Sequence, residues 1–374
     1  MSENVDLLYL SEEEMINADV LNMKECVDTI DDMFHLISKG DFILGGPNRN
    51  DHGIMLWFNK EEPFTNMPVK GPDRRFMSLI SYLGGEFDVI GNKWYGSNIK
   101  NLEKGLPRSI HTFTLNDKDT GAPLSIMAGN LISSMRTGAV SGVAARHLAK
   151  KDSTVLGVVG GGAINQSCVE AITTSVSGIE EIILYDINIE KGKEIANKIE
   201  ELTNLPTEVV SDMKSCINQS DIVTVATSGK NKPFISNEWL KPGSTILLTG
   251  AAEFPKSTYE ETHIVADLWA MHEKWLEDGL AHPDGIESIL DWTMSGQLLE
   301  LIHNGEFDSN KIDNIGDIIT GQKQGRQSDN EVVISMTGGL PTEDVAWGYK
   351  VYKKAIEKGL GTSLPLWESS HLTK

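Results

Sequence analysis

Between Asp152 and about Asp267, short apolar runs alternate with helix-like segments, and this rhythm restricts the fold more than any other feature of the chain. Strands separated by helices return to the same end of a sheet, so they pair in parallel as βαβ units. Candidate strands are Thr154–Val159, Glu181–Tyr185, Glu208–Val210, Ile222–Ala226, Thr245–Leu248 and Ile264–Ala266. Such a series predicts an α/β, Rossmann-type doubly wound sheet.

The first strand runs directly into Gly160-Gly161-Gly162 and then into a helix-like stretch. Glycines at that point let the backbone approach a pyrophosphate, which rests on amides at a helix N-terminus. The G-x-G-x-x-G spacing is incomplete, because Asn165 stands at its third position. Alone, the turn also suits an ordinary strand-to-helix connection. The second strand ends at Asp186, roughly 20 residues beyond the glycines, where a ribose-binding carboxylate belongs. Taken by itself, Asp186 also suits a turn or a helix cap. Ile187-Asn188-Ile189-Glu190 offers no cation for a 2′-phosphate, so NAD is expected rather than NADP.

Residues 1–150 read as α+β: Ser11-Glu12-Glu13-Glu14 is capping-box-like, and Phe76–Leu83, Lys93–Tyr95 and Ile110–Leu115 are strand-like. From Thr342 through Leu360, Val345, Tyr349, Tyr352, Ala355 and Ile356 recur at helical spacing, with Gly359 and Gly361 closing the segment. A helix here is expected to pack back onto the first domain. The expected division is 1–150 with 335–374 as a discontinuous substrate and dimerisation domain, and 151–334 as the NAD-binding domain. A chain of 374 residues suits two domains.

A net charge of −21 opposes binding to nucleic acid or to an anionic membrane surface. A small ligand is expected, and the cations that hold an anionic one must be locally concentrated. Cys26, Cys168 and Cys216 show no CxxC spacing, so they are expected reduced and buried, and no metal site is expected. The acidic N-terminus lacks an apolar core and no run reaches the ~18 residues of a membrane span, so the reading is cytoplasmic.

Several segments carry a resemblance in chain order: Asn92-Lys93-Trp94, Leu131 to Met135 running into Arg136-Thr137-Gly138-Ala139, Asp221–Ala226 with Thr227, Trp239-Leu240-Lys241-Pro242-Gly243, Ile319-Thr320-Gly321 with Gly325-Arg326, and Thr337-Gly338-Gly339 followed by Glu343-Asp344-Val345-Ala346. With these the chain resembles the ornithine cyclodeaminase/μ-crystallin family over about residues 45–361. The resemblance implies that Arg49, Lys93 and Arg136 bind a substrate carboxylate. Two guanidiniums and an ammonium around one carboxylate would give charge-assisted, oriented binding. Lys70, Arg74 and Arg75 lie near Arg49 as rival cations in an unusually long 50–75 segment. Together with the glycine turn, the resemblance implies NAD contacts at Thr137, Gly160, Gly162, Ala163, Ile164, Asp186, Thr227, Thr337 and Gly338.

The family's acid/base aspartate follows the fifth strand and precedes a proline. In Gly250-Ala251-Ala252-Glu253-Phe254-Pro255 that place is held by Glu253, which could also cap the next helix. Lys93 is the second candidate for proton transfer. The expected activity is NAD-dependent interconversion of a small α-amino or N-substituted amino acid with its imine or keto form. Leu131–Arg136 and Ala145–Lys151 also look like the branch that oxidises N-(2-amino-2-carboxyethyl)-glutamate. Ornithine cyclodeamination with recycled NAD is the alternative, and a μ-crystallin-like ligand-binding role is a second. A homodimer built through the first domain is expected from the resemblance and the apolar 76–115 region.

Overall fold

Period-two burial dominates the early part of the chain. In the strand Arg75–Leu83, Met77, Leu79, Ser81 and Leu83 are buried while Phe76 and Ile80 face out. The computed structural model describes residues 4–373 apart from 62, 63, 72, 228–231 and 291. It divides into two units: Met1–Asn22, Gly40–Ser133 and Pro341–Lys374 form the first, Met23–Lys39 and Ser134–Leu340 the second. The helix Met23–Lys39 thus goes with the second unit, and the units change at Ser133/Ser134 and Leu340/Pro341.

In the first unit a mixed sheet has the order β16-β1-β7-β6-β5-β4-β2. These strands are β1 (Val5–Leu10), β2 (Phe42–Leu44), β3 (Ile54–Trp57), β4 (Arg75–Leu83), β5 (Val89–Ser97), β6 (Ser109–Asn116), β7 (Pro123–Ala128) and β16 (Thr362–Trp367). Pairs are antiparallel except β1 with β7. β2 and β3 share the outer edge of β4, β2 at Ser81–Leu83 and β3 at Arg75–Ser78. The helix Pro341–Lys358 covers the inner face: a Cβ on Gly91 would come within 2.7 Å of Val345, and one on Gly348 within 2.4 Å of Phe113. Ser11 caps its helix in the expected box.

All eight strands of the second unit are parallel: β8 (Val155–Val159), β9 (Glu181–Tyr185), β10 (Thr207–Val209), β11 (Ile222–Val225), β12 (Thr245–Leu248), β13 (His263–Ala266), β14 (Ile312–Asn314) and β15 (Val333–Met336). Their order is β10-β9-β8-β11-β12-β15-β13-β14, so the chain reverses its direction of travel across the sheet between β8 and β11. That switch point is where doubly wound sheets bind ligands. The sequence pattern predicts six of these strands. It misses β14 and β15, which lie beyond the βαβ rhythm that ends near Asp267, and β15 enters between β12 and β13.

The helices Gly129–Leu148 and Ala163–Ser175 meet backbone to backbone within the second unit. A Cβ on Gly138 would lie 2.4 Å from the Ser167 carbonyl oxygen, and one on Gly142 lies 2.8 Å from that of Ala171. Only glycine permits this approach. Ser134 and Ser167 hydroxyls join the two helices at 2.9 Å. Cys26, Cys168 and Cys216 are buried and form no disulfide.

Candidate active site

The parallel sheet sends the loops after β8, β9, β11, β12 and β15 to one edge, which gathers Gly160, Asp186, Thr227, Glu253 and Thr337. Gly160 has φ +89°, and a Cβ there would meet Thr227 Cγ2 at 2.9 Å and the Ala226 carbonyl at 3.1 Å. The following helix begins with Gly162 as N-cap and no side-chain cap, and Gly162, Ala163 and Ile164 are exposed. An open glycine cradle at an uncapped helix start fits a dinucleotide pyrophosphate. The Asp186 carboxylate accepts from Gly161 N at 2.9 Å and from Asn188 N at 2.9 Å. It is half-buried and retains acceptor capacity for ribose hydroxyls.

Asn165, read from the sequence as a defect in the glycine pattern, is fully buried. Its Nδ2 donates to the carbonyls of Gly160 at 2.7 Å and Val159 at 3.1 Å, and its Oδ1 accepts from Thr224 Oγ1 at 2.7 Å. The side chain ties the turn to β11, across the switch point.

Arg136 is buried, and its guanidinium lies against Gly339, where a Cβ would meet Nη1 at 2.9 Å. Thr137 follows it in the same helix and is half-buried. The Thr337–Gly339 loop is fixed by Asp267, whose Oδ2 accepts from Gly338 N at 2.6 Å and Gly339 N at 2.9 Å. Asp267 Oδ1 meets Leu268 N and His272 Nε2, each at 2.8 Å, and His272 Nδ1 reaches Ser295 Oγ at 2.8 Å. Burial pushes the Asp267 carboxyl up, but His272 and the backbone amides more than reverse it, so it lies below the usual carboxylate range. The Gly338 amide is therefore engaged inside the protein, and a Cβ there would strike Met271 at 2.2 Å.

Glu253 lies on the loop after β12 with its side chain exposed. Its backbone is pinned: Glu253 N donates to Pro233 O at 2.9 Å and its carbonyl accepts from Ile235 N at 2.8 Å. The neighbouring Phe254 is clasped by Gln297 through its amide at 2.9 Å and its carbonyl at 2.8 Å. The next helix, Lys256–Glu261, has Pro255 as N-cap without a side-chain cap bond, so Glu253 does not cap it. Tyr259 is buried and donates to Gln297 at 2.9 Å; burial, then the Glu253 charge, raises its pKa.

In the first unit Lys93 points to the inner face of β5 and is 2% exposed. Its ammonium donates to Asp344 at 2.7 Å and to Ser133 at 3.2 Å. Arg49 occupies an exposed loop with φ 59°, closed by Asp51 N bonding to Gly45 O at 3.1 Å.

The ornithine cyclodeaminase/mu-crystallin family model matches residues 19–359. The chain belongs to that family. Among family relatives, the N-((2S)-2-amino-2-carboxyethyl)-L-glutamate dehydrogenase of Staphylococcus aureus is 27% identical, over 78% of this chain and 82% of its own. The alanine dehydrogenase of Archaeoglobus fulgidus is also 27% identical, over 96% of this chain and 98% of its own. A solved structure of the Thermococcus litoralis Delta(1)-pyrroline-2-carboxylate reductase, in complex with NADH and L-proline, is 26% identical with a TM-score of 0.77, over 96% of this chain and 100% of that one.

The family segments divide into working and supporting residues. Arg326 bonds the Leu148 carbonyl at 3.1 Å and Thr245 Oγ1 at 2.8 Å, closing the end of the helix that carries Arg136. Within Ala145–Lys151, Arg146 pairs with Asp28 at 2.8 Å and Asp31 at 2.9 Å, and His147 meets Asp31 at 3.0 Å. Those residues hold helices together. Sequence reading left Asp344, Asp267 and Asn165 without roles. For Asp344 the signal was an acidic pair, Glu343-Asp344, running directly into the apolar Val345-Ala346-Trp347.

Proposed function

We propose that this protein is an NAD-dependent oxidoreductase that interconverts a small α-amino acid, or an N-substituted one, with its imine or keto form at Cα. The observation that carries the reading lies within the second unit. A glycine turn suited to a dinucleotide, the carboxylates of Asp186 and Glu253, and the loop that backs Arg136 share one sheet edge. NAD, when bound, supplies the hydride acceptor or donor. Gly160, Gly162, Ala163 and Ile164 hold its pyrophosphate, Asp186 its ribose, and Thr137, Thr227 and Thr337 are assigned to further contacts with it. Arg136, Lys93 and Arg49 are assigned to the substrate carboxylate, which orients Cα. Glu253 takes or returns the proton at the substrate nitrogen, with Lys93 second in line.

Net dehydrogenation or imine reduction is preferred to ornithine cyclodeamination. Incubation with NAD and a panel of amino acids, following NADH, ammonia and organic product together, tests this. Accumulating NADH supports the reading; ammonia and a cyclic product with catalytic NAD would replace it with cyclodeamination. Silence across the panel would favour a ligand-binding role.

The protein acts as a homodimer joined through the first unit. Support comes from the outer sheet face, where Ile54, Leu56, Phe76, Ile80, Trp94 and Ile110 are all exposed apolar residues. A monomer by light scattering at micromolar concentration would remove the dimer from the proposal. No helix among the described residues is long and apolar enough to cross a membrane, and a cytoplasmic setting is proposed.

A further inference from the structure

The 50–75 segment ends in cations that the amino-acid chemistry so far leaves unused. Their setting is the inner face of the first unit's sheet. On β5 that face carries Lys93, Tyr95 and Ser97 in succession, because alternate residues point the same way. The register sets Met77 and His111 beside Tyr95, and Arg75 and Ser109 beside Ser97. Tyr95 and His111 stack with ring centres 4.7 Å apart. Beyond Lys93 the face is therefore polar and aromatic, in contrast to the apolar rows under the helix Pro341–Lys358.

Arg75 is held in place from several sides. Its guanidinium lies 5.7 Å from the rings of both Trp57 and Tyr95, and its Nη2 is 3.4 Å from the Tyr95 hydroxyl. Asp73 pairs with Arg75, with Arg108 Nε at 2.9 Å, and with the Ser97 hydroxyl. Two guanidiniums thus share one carboxylate, which leaves a net positive charge in the cluster. Burial, followed by the charge of Arg75, holds Arg108 below the usual arginine range. Arg75 is 20% exposed, so it is oriented yet reachable.

We propose that Arg75, supported by Arg108 and flanked by Tyr95 and His111, is a subsite for a second carboxylate on the substrate, so that the natural substrate is an amino or imino acid with a distal acidic group. This rests on the oxidoreductase reading, in which Lys93 engages the α-carboxylate. Lys93 Nζ lies 6.0 Å and Arg75 Cζ 5.7 Å from the Tyr95 ring centre, so the two cations are no more than about 12 Å apart. With each carboxylate about 2.8 Å from its cation, up to about 6 Å remains between the two carboxylates. A glutamate-length diacid is long enough to bridge the two cations at any separation up to that limit. A monocarboxylate of equal length would leave the net positive charge of the Arg75, Arg108 and Asp73 cluster unanswered.

The test reads binding before turnover. Glutarate and valerate, matched in length, are titrated into the NAD-loaded protein, and glutarate should bind at least about 10-fold more tightly. Arg75→Met should abolish that preference, and Arg75→Lys, which keeps a point charge without the planar fork, should retain part of it. Equal binding of the two acids by the wild type, or an undiminished preference in a folded Arg75→Met protein, would overturn the subsite. If Arg75→Met does not fold, the wild-type comparison and Arg75→Lys still decide. Turnover of glutamate against norvaline, followed at the NADH band, then tests the reading beneath. A glutarate preference with no turnover of any amino acid would leave the subsite standing and remove the oxidoreductase reading.

Discussion

The glycine turn of the second unit and the Lys93 corner of the first are built on opposite plans. The turn is made of backbone: Gly160 to Gly162 lie consecutively, and the carboxylate that ties them, Asp186, is only 25 residues away from Gly161. Lys93 and Asp344 are 251 residues apart in the chain and meet only once the sheet and the helix Pro341–Lys358 have formed. A backbone site tolerates exchange of many side chains, whereas a buried ion pair tolerates almost none. The two regions should therefore fail differently when they are altered.

The largest effect is expected at the ion pair. Lys93→Ala leaves Asp344 charged and buried without its cation, which should cost about 3–5 kcal/mol of stability. Urea unfolding reads this, and an unchanged midpoint would mean that the corner tolerates change as well as the turn does. Glu253 sits on the second unit's edge with its side chain exposed, and in the proposed reaction it behaves like a chemical group rather than a scaffold. Glu253→Gln should slow turnover by about 10²–10⁴-fold with little change in NAD affinity. Glu253→Asp should keep more activity than Glu253→Gln, and wild-type rates in the Gln variant would move proton transfer to Lys93.

A smaller effect is expected at Asn165, where the turn depends on a buried side chain. Asn165→Ala removes the donor for Gly160 O and the acceptor for Thr224, and should cost roughly 1–3 kcal/mol. NAD affinity should fall with it. If stability and NAD binding both survive, the turn is a purely backbone device.

The smallest expected effect lies where two strands of the sheet begin. Burial raises the Asp221 carboxyl, yet Lys241 at 2.6 Å and the amides of Thr154 and Val155 pull it lower overall. A depressed carboxylate stabilises the fold above its unfolded pKa of about 4, and the gain is lost as pH falls through the lower folded value. The stability gap between wild type and Asp221→Asn should therefore narrow from pH 7 towards pH 3. A gap that holds constant would show that Asp221 contributes hydrogen bonds alone.

The same contrast explains what could be read in advance. β8, β9 and β12 and the glycine turn are legible because strand, turn and acid follow one another locally. β14 and β15 escape because they follow β13 only after long helical stretches, outside the strand-helix rhythm that announces the others. Asn165 looks like a missing glycine because its role depends on Thr224, 59 residues away. Asp267 and His272 likewise form a buried pair on a strand end and a helix, and nothing in their spacing announces a loop clasp. Lys93 and Arg136 were found through family resemblance, since a lone cation in a chain says little about the anion it faces.

The contact of Gly138 and Gly142 with the backbone at Ser167 and Ala171 makes one helix a gauge block for the other. Arg136 rides on the first helix and the glycine turn opens the second, so the thickness of two missing side chains sets the distance between them. An alanine at either glycine would insert a spacer of about an ångström, and misplacement on that scale can cost about 10²-fold in rate. Efforts to retune the cofactor or the substrate of this protein can therefore work freely on the loops, but should treat these two glycines as part of its calibration.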